Sequence, residues 1–502
     1  MVSRLERRWE AAAIFVLALV AREIWALLLP LDGGNDEIFH LYTARLTDSL
    51  GRLPALGADP GAAAFFHQVY GFNELPYLTD PPGAPLIAAA FLRLLPPGVP
   101  PYLWLRQLAV LGGALAALLA YLALRRLGPP PSRLPLAAAL LLAIGPQFVF
   151  VTAYFSDEWL AMLAGGMVIY AAGRVLTEGL RVPGIAWSAA GLTLLAVSRL
   201  TYWPAALLVL LAAAHAWKAA GRRARLTFLA LLLLPLLAAG SWMARNERLY
   251  GSWDGGAVAA AAARHPAGFL PGFHAAVPVH HVPAKHPYLY RYGLGYLLRG
   301  TFMSFWGVFG YMGLLMPAAY YLLWGAFCAA SLGGLALAYT DGAVGEPAAA
   351  GEREGTPTLR VGTRPAEPRS RIRLGRSLAL PFSPRFARGD SDPQSATAER
   401  PPAYVFLAGG AAVFGIALLA HLYFNLLAPV SARVNFQPQG RYLFAALVPL
   451  LALLVLGLDR LLRAGGAERW LVALCAAVAA SANAWALAVI RAAPWARVTW
   501  TP

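Results

Sequence analysis

Apolar runs long enough to cross a bilayer recur along this chain, separated by short polar stretches. A hydrocarbon core needs roughly 20 apolar residues per helix. Runs at 9–30, 104–124, 134–153, 157–177, 183–200, 203–218, 226–244, 317–340, 403–425, 441–458 and 470–491 meet or approach that length. The pattern predicts an all-α fold, a polytopic transmembrane helical bundle of about 11 spans. Two further stretches, "TDPPGAPLIAAAFLRLLPP" (79–97) and "RGTFMSFWGVFGYMGLLMP" (299–317), are apolar but do not fit that count. Counting 79–97 as a span would put Arg125 and Arg126 on the wrong side. Both stretches are therefore read as juxtamembrane helices on, or dipping into, the outer face.

Composition narrows the class. Of 502 residues, 59% are hydrophobic and 13% charged, with mean hydropathy +0.56. A single soluble core could not hide so much apolar surface. The net charge of +16 sits in clusters between apolar runs: Arg4/Arg7/Arg8, Arg125/Arg126/Arg133, Arg174/Arg181, Lys218/Arg222/Arg223/Arg225, the loop 341–402 and Arg460/Arg463/Arg469. All fall on one side of the threading. The positive-inside rule makes that side the cytoplasm, and the clustering argues for topology rather than a nucleic-acid partner. The N-terminal run has no small-residue cleavage site and reads as an uncleaved first span. Cys328 and Cys475 lie within apolar runs, so no disulfide framework is expected.

These readings divide the chain into a transmembrane module at 1–340 with outer loops 31–103 and 245–316, a linker at 341–402, and C-terminal transmembrane helices at 403–502. The linker mixes Pro, Gly, Ala and Arg with acidic residues and has no sustained apolar period. It is expected to be disordered.

Candidate chemistry gathers on the outer side. In "GGNDEIFH" (33–40), Asn35 reads as an N-cap, and Asp36, Glu37 and His40 can share one face of the helix that follows. A carboxylate there can take a proton from a hydroxyl or hold a divalent metal. Capping alone is the simpler reading of such a pair. A second pair, Asp157-Glu158, follows Ser156, a potential cap, at the same predicted surface. Ionisable groups near a bilayer usually face a cavity or one another, so two pairs on one side point to a shared site. Arg441 and Tyr442 in "QGRYLF" open a span there, and Arg199 and Arg245 lie at span ends. A guanidinium in such a position suits a phosphate, with interfacial anchoring as the alternative. Arg22 and Glu23 lie inside the first span and are expected to pair with other helices. His265, His274, His280, His281 and His286 match no closed zinc site and suggest a solvated or acceptor-binding loop.

"NDEIFH", "TDPPGAPL", "AYFSDEWLAML", "VSRLTYWP", "RNERLYGSWD", "SFWGVFGYMG" and "QGRYLF" occur in that order. In this the chain resembles the GT-C superfamily of integral membrane glycosyltransferases, which use polyprenyl-phosphate-linked sugars. More narrowly, it is similar to a bacterial membrane family in or near that superfamily. The resemblance implies Asp36 or Glu37 as general base. It implies Asp157 and Glu158 as acceptor- or metal-associated; with His40, read from its place on the Asp36 helix, Asp36 and Asp157 are the candidate ligands of a divalent metal ion. Arg441 with Tyr442, then Arg245 and Arg199, would bind the donor phosphate. The implied partners are a polyprenyl-phosphate-linked sugar, the lipid bilayer and an acceptor glycan, lipid or protein. The implied location is the inner (plasma) membrane, with a cytoplasmic N-terminus and an extracytoplasmic site. One departure is Asp80-Pro81-Pro82, where related enzymes often carry His-Pro-Pro, so no histidine role transfers there. A transporter or flippase of lipid-linked sugars, or a non-catalytic envelope-assembly protein, are the competing readings.

Overall fold

The computed structural model describes residues 4–31, 33–34, 36–55, 59, 78, 80–128, 132–253, 288–310, 313–344, 402–423 and 439–493. Among them, eight helices are long and apolar enough to cross a membrane: Arg8–Leu28, Pro101–Leu127, Glu158–Glu178, Arg222–Tyr250, Ala318–Leu337, Pro402–Leu422, Gly440–Ala464 and Glu468–Ala492. The chain is a multi-pass helical membrane protein. The linker, apart from its edges, lies outside the described residues, as do Asn35 and the histidine-bearing stretch 254–287.

Three segments expected to span form shorter apolar helices instead: Leu134–Ile144, Val182–Ala196 and Leu200–Ala216. The first shows the reason. Gly145-Pro146 interrupts the run, and a second short helix, Pro146–Phe150, restarts after it. Proline has no N–H to donate, so the carbonyls ahead of it lose helical partners. Side chains from other helices replace them. Arg22 donates to Leu142 O at 3.3 Å and to Ala143 O at 2.9 Å, and Asn483 donates to Ile144 O at 2.7 Å. Arg22, expected only to pair with another helix, is thus fully buried and caps a broken one. The stretch 79–97 yields the helix Gly83–Leu92. The stretch 299–317 finishes the helix Tyr288–Trp306 and adds a small antiparallel pair, Val308–Phe309 with Leu314–Leu315.

Helices in lipid gain little from burying apolar surface against each other, so close backbone approach carries their packing. A Cβ on Gly166 would stand 3.0 Å from Ala116 Cα, where Glu158–Glu178 meets Pro101–Leu127. Where Ala318–Val344 crosses Leu447–Ala464, a Cβ on Gly334 would lie 1.8 Å from Gly457 O, so neither helix tolerates a side chain there.

The bundle has two chemically different ends. Arg106 and Arg126 lie on one helix, about 30 Å apart along its axis. At the Arg126 end the basic clusters meet acids and carbonyls: Arg126 pairs with Glu178, Arg125 lies 3.8 Å from Glu10, and Arg133 donates to Arg469 O at 2.8 Å. At the Arg106 end sit the two acidic pairs.

A candidate active site of carboxylates and arginines

Arg106 organises the exit from the first span. Its guanidinium donates to Ala26 O at 2.6 Å, Leu29 O at 2.7 Å and Pro30 O at 2.8 Å, the orphan carbonyls of a helix terminus. It also grips both oxygens of Glu37, each at 2.6 Å. Both side chains have no exposed area. Glu37 Oε1 further accepts the Phe155 amide at 3.2 Å, tying the first loop to the loop of the second acidic pair. This corrects half of the reading of the Asp36-Glu37 pair. Glu37 is engaged on both oxygens as a buried structural acid and does not face a site.

Asp36 is different. It precedes the helix Glu37–Leu50 with φ 63°, and among the described residues it is the one non-glycine in that left-handed region. Holding an L-residue there costs about 1–2 kcal/mol. Its side chain makes no capping bond. Its charge is felt at His40, Asp80 and Tyr154, so it stands among them.

The second acidic pair opens the helix Glu158–Glu178, whose first amide is accepted by Ser156 Oγ at 3.2 Å. Arg199 Nη1 reaches Asp157 Oδ1 at 2.9 Å and Glu158 Oε1 at 3.0 Å. Arg441 Nε lies 3.5 Å from the same Glu158 oxygen. Tyr202 donates to Glu158 Oε2 at 2.9 Å, and both guanidinium groups lie over the Tyr442 ring, at 5.6 and 5.8 Å. His40 Nε2 is 3.7 Å from Asp157 Oδ1. Residues as distant in sequence as His40 and Arg441 therefore form one cluster.

The electrostatics follow from burial in mixed charge. Burial works to raise the Asp157 carboxyl, but the Arg199 and Arg441 guanidinium groups outweigh it and hold it below the usual range. Desolvation lowers His40 and keeps it neutral, against the pull of Asp157. Asp80 is pushed up to about 7, first by desolvation and then by the charge of Asp157. Its loop is pinned beside Arg199 by the Gly83 amide, which donates to Val197 O at 2.8 Å.

Beside the cluster is a narrow recess with room for about one water, lined by Arg441, Gln439, Gln147, Ser304, Phe150, Val151 and Val308. Arg441 is 7% exposed, and among the described residues its Nε has no hydrogen-bond partner. A buried guanidinium whose pairing with Glu158 is long and makes no hydrogen bond, at the wall of a recess, can take an additional anion.

Arg245 does not join the cluster's ion pairs. It donates to Pro54 O at 2.6 Å and lies 3.5 Å from Leu78 O, fastening the first loop. Of the expected metal ligands, His40 and Asp157 come within 3.7 Å of each other. Among the described residues no three His, Cys, Asp or Glu side chains could hold a metal ion, and Asp157 is already committed to Arg199. Arg106, Tyr202 and Tyr154 escaped the sequence reading, and Asp80 was noted only as a departure. The signal for Arg106 was a lone arginine inside the apolar run "PYLWLRQLAVLGG".

Fold and cluster define a multi-pass membrane protein with a charged site at one bundle end. No family model matches the chain, and no curated protein does. Among solved structures, it is similar to the oligosaccharyltransferase of Archaeoglobus fulgidus in its apo form, with 15% identity, a TM-score of 0.45 and 98% of this chain covered. It is also similar to the archaeal oligosaccharyltransferase AglB of that organism in complex with an inhibitory peptide and a dolichol-phosphate, with 14% identity and a TM-score of 0.44. The chain spans 56% of each of those proteins.

Proposed function

We propose that this chain is a GT-C-type membrane glycosyltransferase that moves a sugar from a polyprenyl-phosphate carrier to an acceptor hydroxyl outside the cytoplasm. The observation that carries the reading is the meeting of an uncapped Asp36, a cluster of two carboxylates with two arginines, and an Arg441 whose Nε makes no hydrogen bond among the described residues, all at the bundle end opposite the basic clusters. In the reaction, Asp36 accepts the proton of the acceptor hydroxyl. The freed oxygen lone pair forms the new bond to the anomeric carbon. The bond from that carbon to the phosphate oxygen breaks, and its electron pair leaves with the lipid phosphate. Arg441, backed by Arg199, opposes the charge that develops there. Attack opposite the leaving group inverts the anomeric centre. Asp157 and Glu158 orient the two arginines rather than react.

Charges at the bundle end suit surface chemistry, whereas transporters commonly bind substrate near the bilayer midplane. The test uses the purified protein in proteoliposomes with a radiolabelled polyprenyl-phosphate sugar and an envelope-extract acceptor. Cleavage of the sugar–phosphate bond, with label moving to the acceptor, is expected. Intact labelled lipid crossing the vesicle would establish the flippase instead.

A further inference from the structure

Tyr154 is a buried group that this mechanism leaves unused. Its side chain is fully buried, and among the described residues its hydroxyl has no hydrogen-bond partner. A buried donor left unmade is costly, so one that persists calls for a reason. The ring cannot swing away. A Cβ on Gly34 would fall 2.0 Å from it, and Phe150, which lines the Arg441 recess, packs against it with ring centroids 5.0 Å apart. The charges felt at the phenol are, in order, those of Arg441, Glu158, Asp36 and Arg199. The phenol thus lies in the field of both the arginines and the carboxylates of the cluster. Desolvation holds it above its ordinary range, so at neutral pH it keeps its proton and can only donate or accept a hydrogen bond.

The geometry points to Tyr154 as a second donor to the carrier phosphate: its O–H and the Arg441 Nε, two buried donors that make no hydrogen bond among the described residues, receive the phosphate oxygens together. This rests on the reading of the cluster as a lipid-phosphate site. The hydroxyl is covered in the arrangement seen, so donation follows entry of the phosphate between the ring and Arg441. No proton is transferred. The O–H bond stays intact, and the hydrogen bond strengthens as negative charge builds on the leaving oxygen.

Tyr154→Phe keeps the ring and its packing and deletes only the donor. Binding of a short-chain polyprenyl monophosphate, and of the polyprenol lacking the phosphate, is measured by tryptophan fluorescence on the full chain in detergent, together with the melting temperature. The wild type is expected to prefer the phosphate. Tyr154→Phe is expected to lose about 10- to 100-fold in affinity for the phosphate and nothing for the polyprenol, as when a hydrogen bond to a charged group is removed. A wild type that binds both alike overturns the lipid-phosphate reading and this proposal with it. A wild type that prefers the phosphate, with Tyr154→Phe binding it equally well and melting higher, overturns the role of Tyr154 alone. It would show the hydroxyl to be only an unsatisfied core group.

Discussion

Two buried arginines at the same end of the bundle are used in opposite ways. Arg106 donates to three carbonyls and to both oxygens of Glu37, and has no exposed area. Arg441 Nε stands 3.5 Å from one oxygen that Arg199 also claims, makes no hydrogen bond among the described residues, and its side chain borders a recess. A saturated guanidinium builds structure, because nothing further can bind it. An unsaturated one carries a desolvation cost that an entering anion relieves. The contrast between Glu37 and Asp36, adjacent in sequence, is the same contrast in carboxylates.

Breaking the saturated side should have the largest effect. Arg106→Ala strands the Glu37 carboxylate and three carbonyls in the interior. Losing one partner of a buried pair costs about 3–5 kcal/mol, so a large fall in melting temperature or failure to accumulate folded protein is expected. Arg441→Gln should do the reverse. The fold is expected to persist with an unchanged melting temperature, while kcat for sugar transfer falls by about 10²–10³. If the two substitutions shift stability equally, the distinction fails.

Gly34→Ala sharpens the comparison from the loop. The added Cβ would meet the Tyr154 ring, and overpacking of this kind costs about 1–3 kcal/mol. A melting temperature unchanged from wild type would show that the ring is not held as described. The last comparison is a titration. The Asp80 carboxyl sits at about 7 in the folded chain, above its ordinary value of 3.8. Between those values the folded state holds a proton that the unfolded state has lost, so stability falls as pH rises through this window. Asp80→Asn cannot ionise. Its stability relative to wild type should therefore increase from about pH 4 to pH 7 and then level off. A flat difference in melting temperature across that window would place Asp80 in a solvated setting.

The sequence made some of this legible and hid the rest for physical reasons. Charges at the rims of apolar runs stand out, so Asp157, Glu158, Arg199 and Arg441 could be named before their contacts were seen. Long apolar runs likewise marked the membrane class. Asp36 and Glu37 could not be told apart, because the partner that separates them is Arg106, far along the chain in another helix. Arg106 itself stood out only as a lone arginine in an apolar run, with nothing local to name Glu37 as its partner. The segment 134–153 looked continuous by hydropathy alone. The break at Gly145-Pro146 is sustained by Arg22 and Asn483 from distant helices, and such pairing has no local signature. Arg245 shared the span-end position of Arg199 but found loop carbonyls rather than carboxylates.

The central claim is that, of the two adjacent carboxylates, Asp36 reacts and Glu37 supports. The most direct measurement is sugar transfer per folded molecule for Asp36→Asn and Glu37→Gln side by side, with melting temperature recorded for each. Asp36→Asn is expected to melt like wild type and lose about 10²–10⁴ in rate, as for removal of a general base, while Glu37→Gln melts lower but retains transfer. Full transfer by Asp36→Asn, with loss of transfer in Glu37→Gln, would contradict the account.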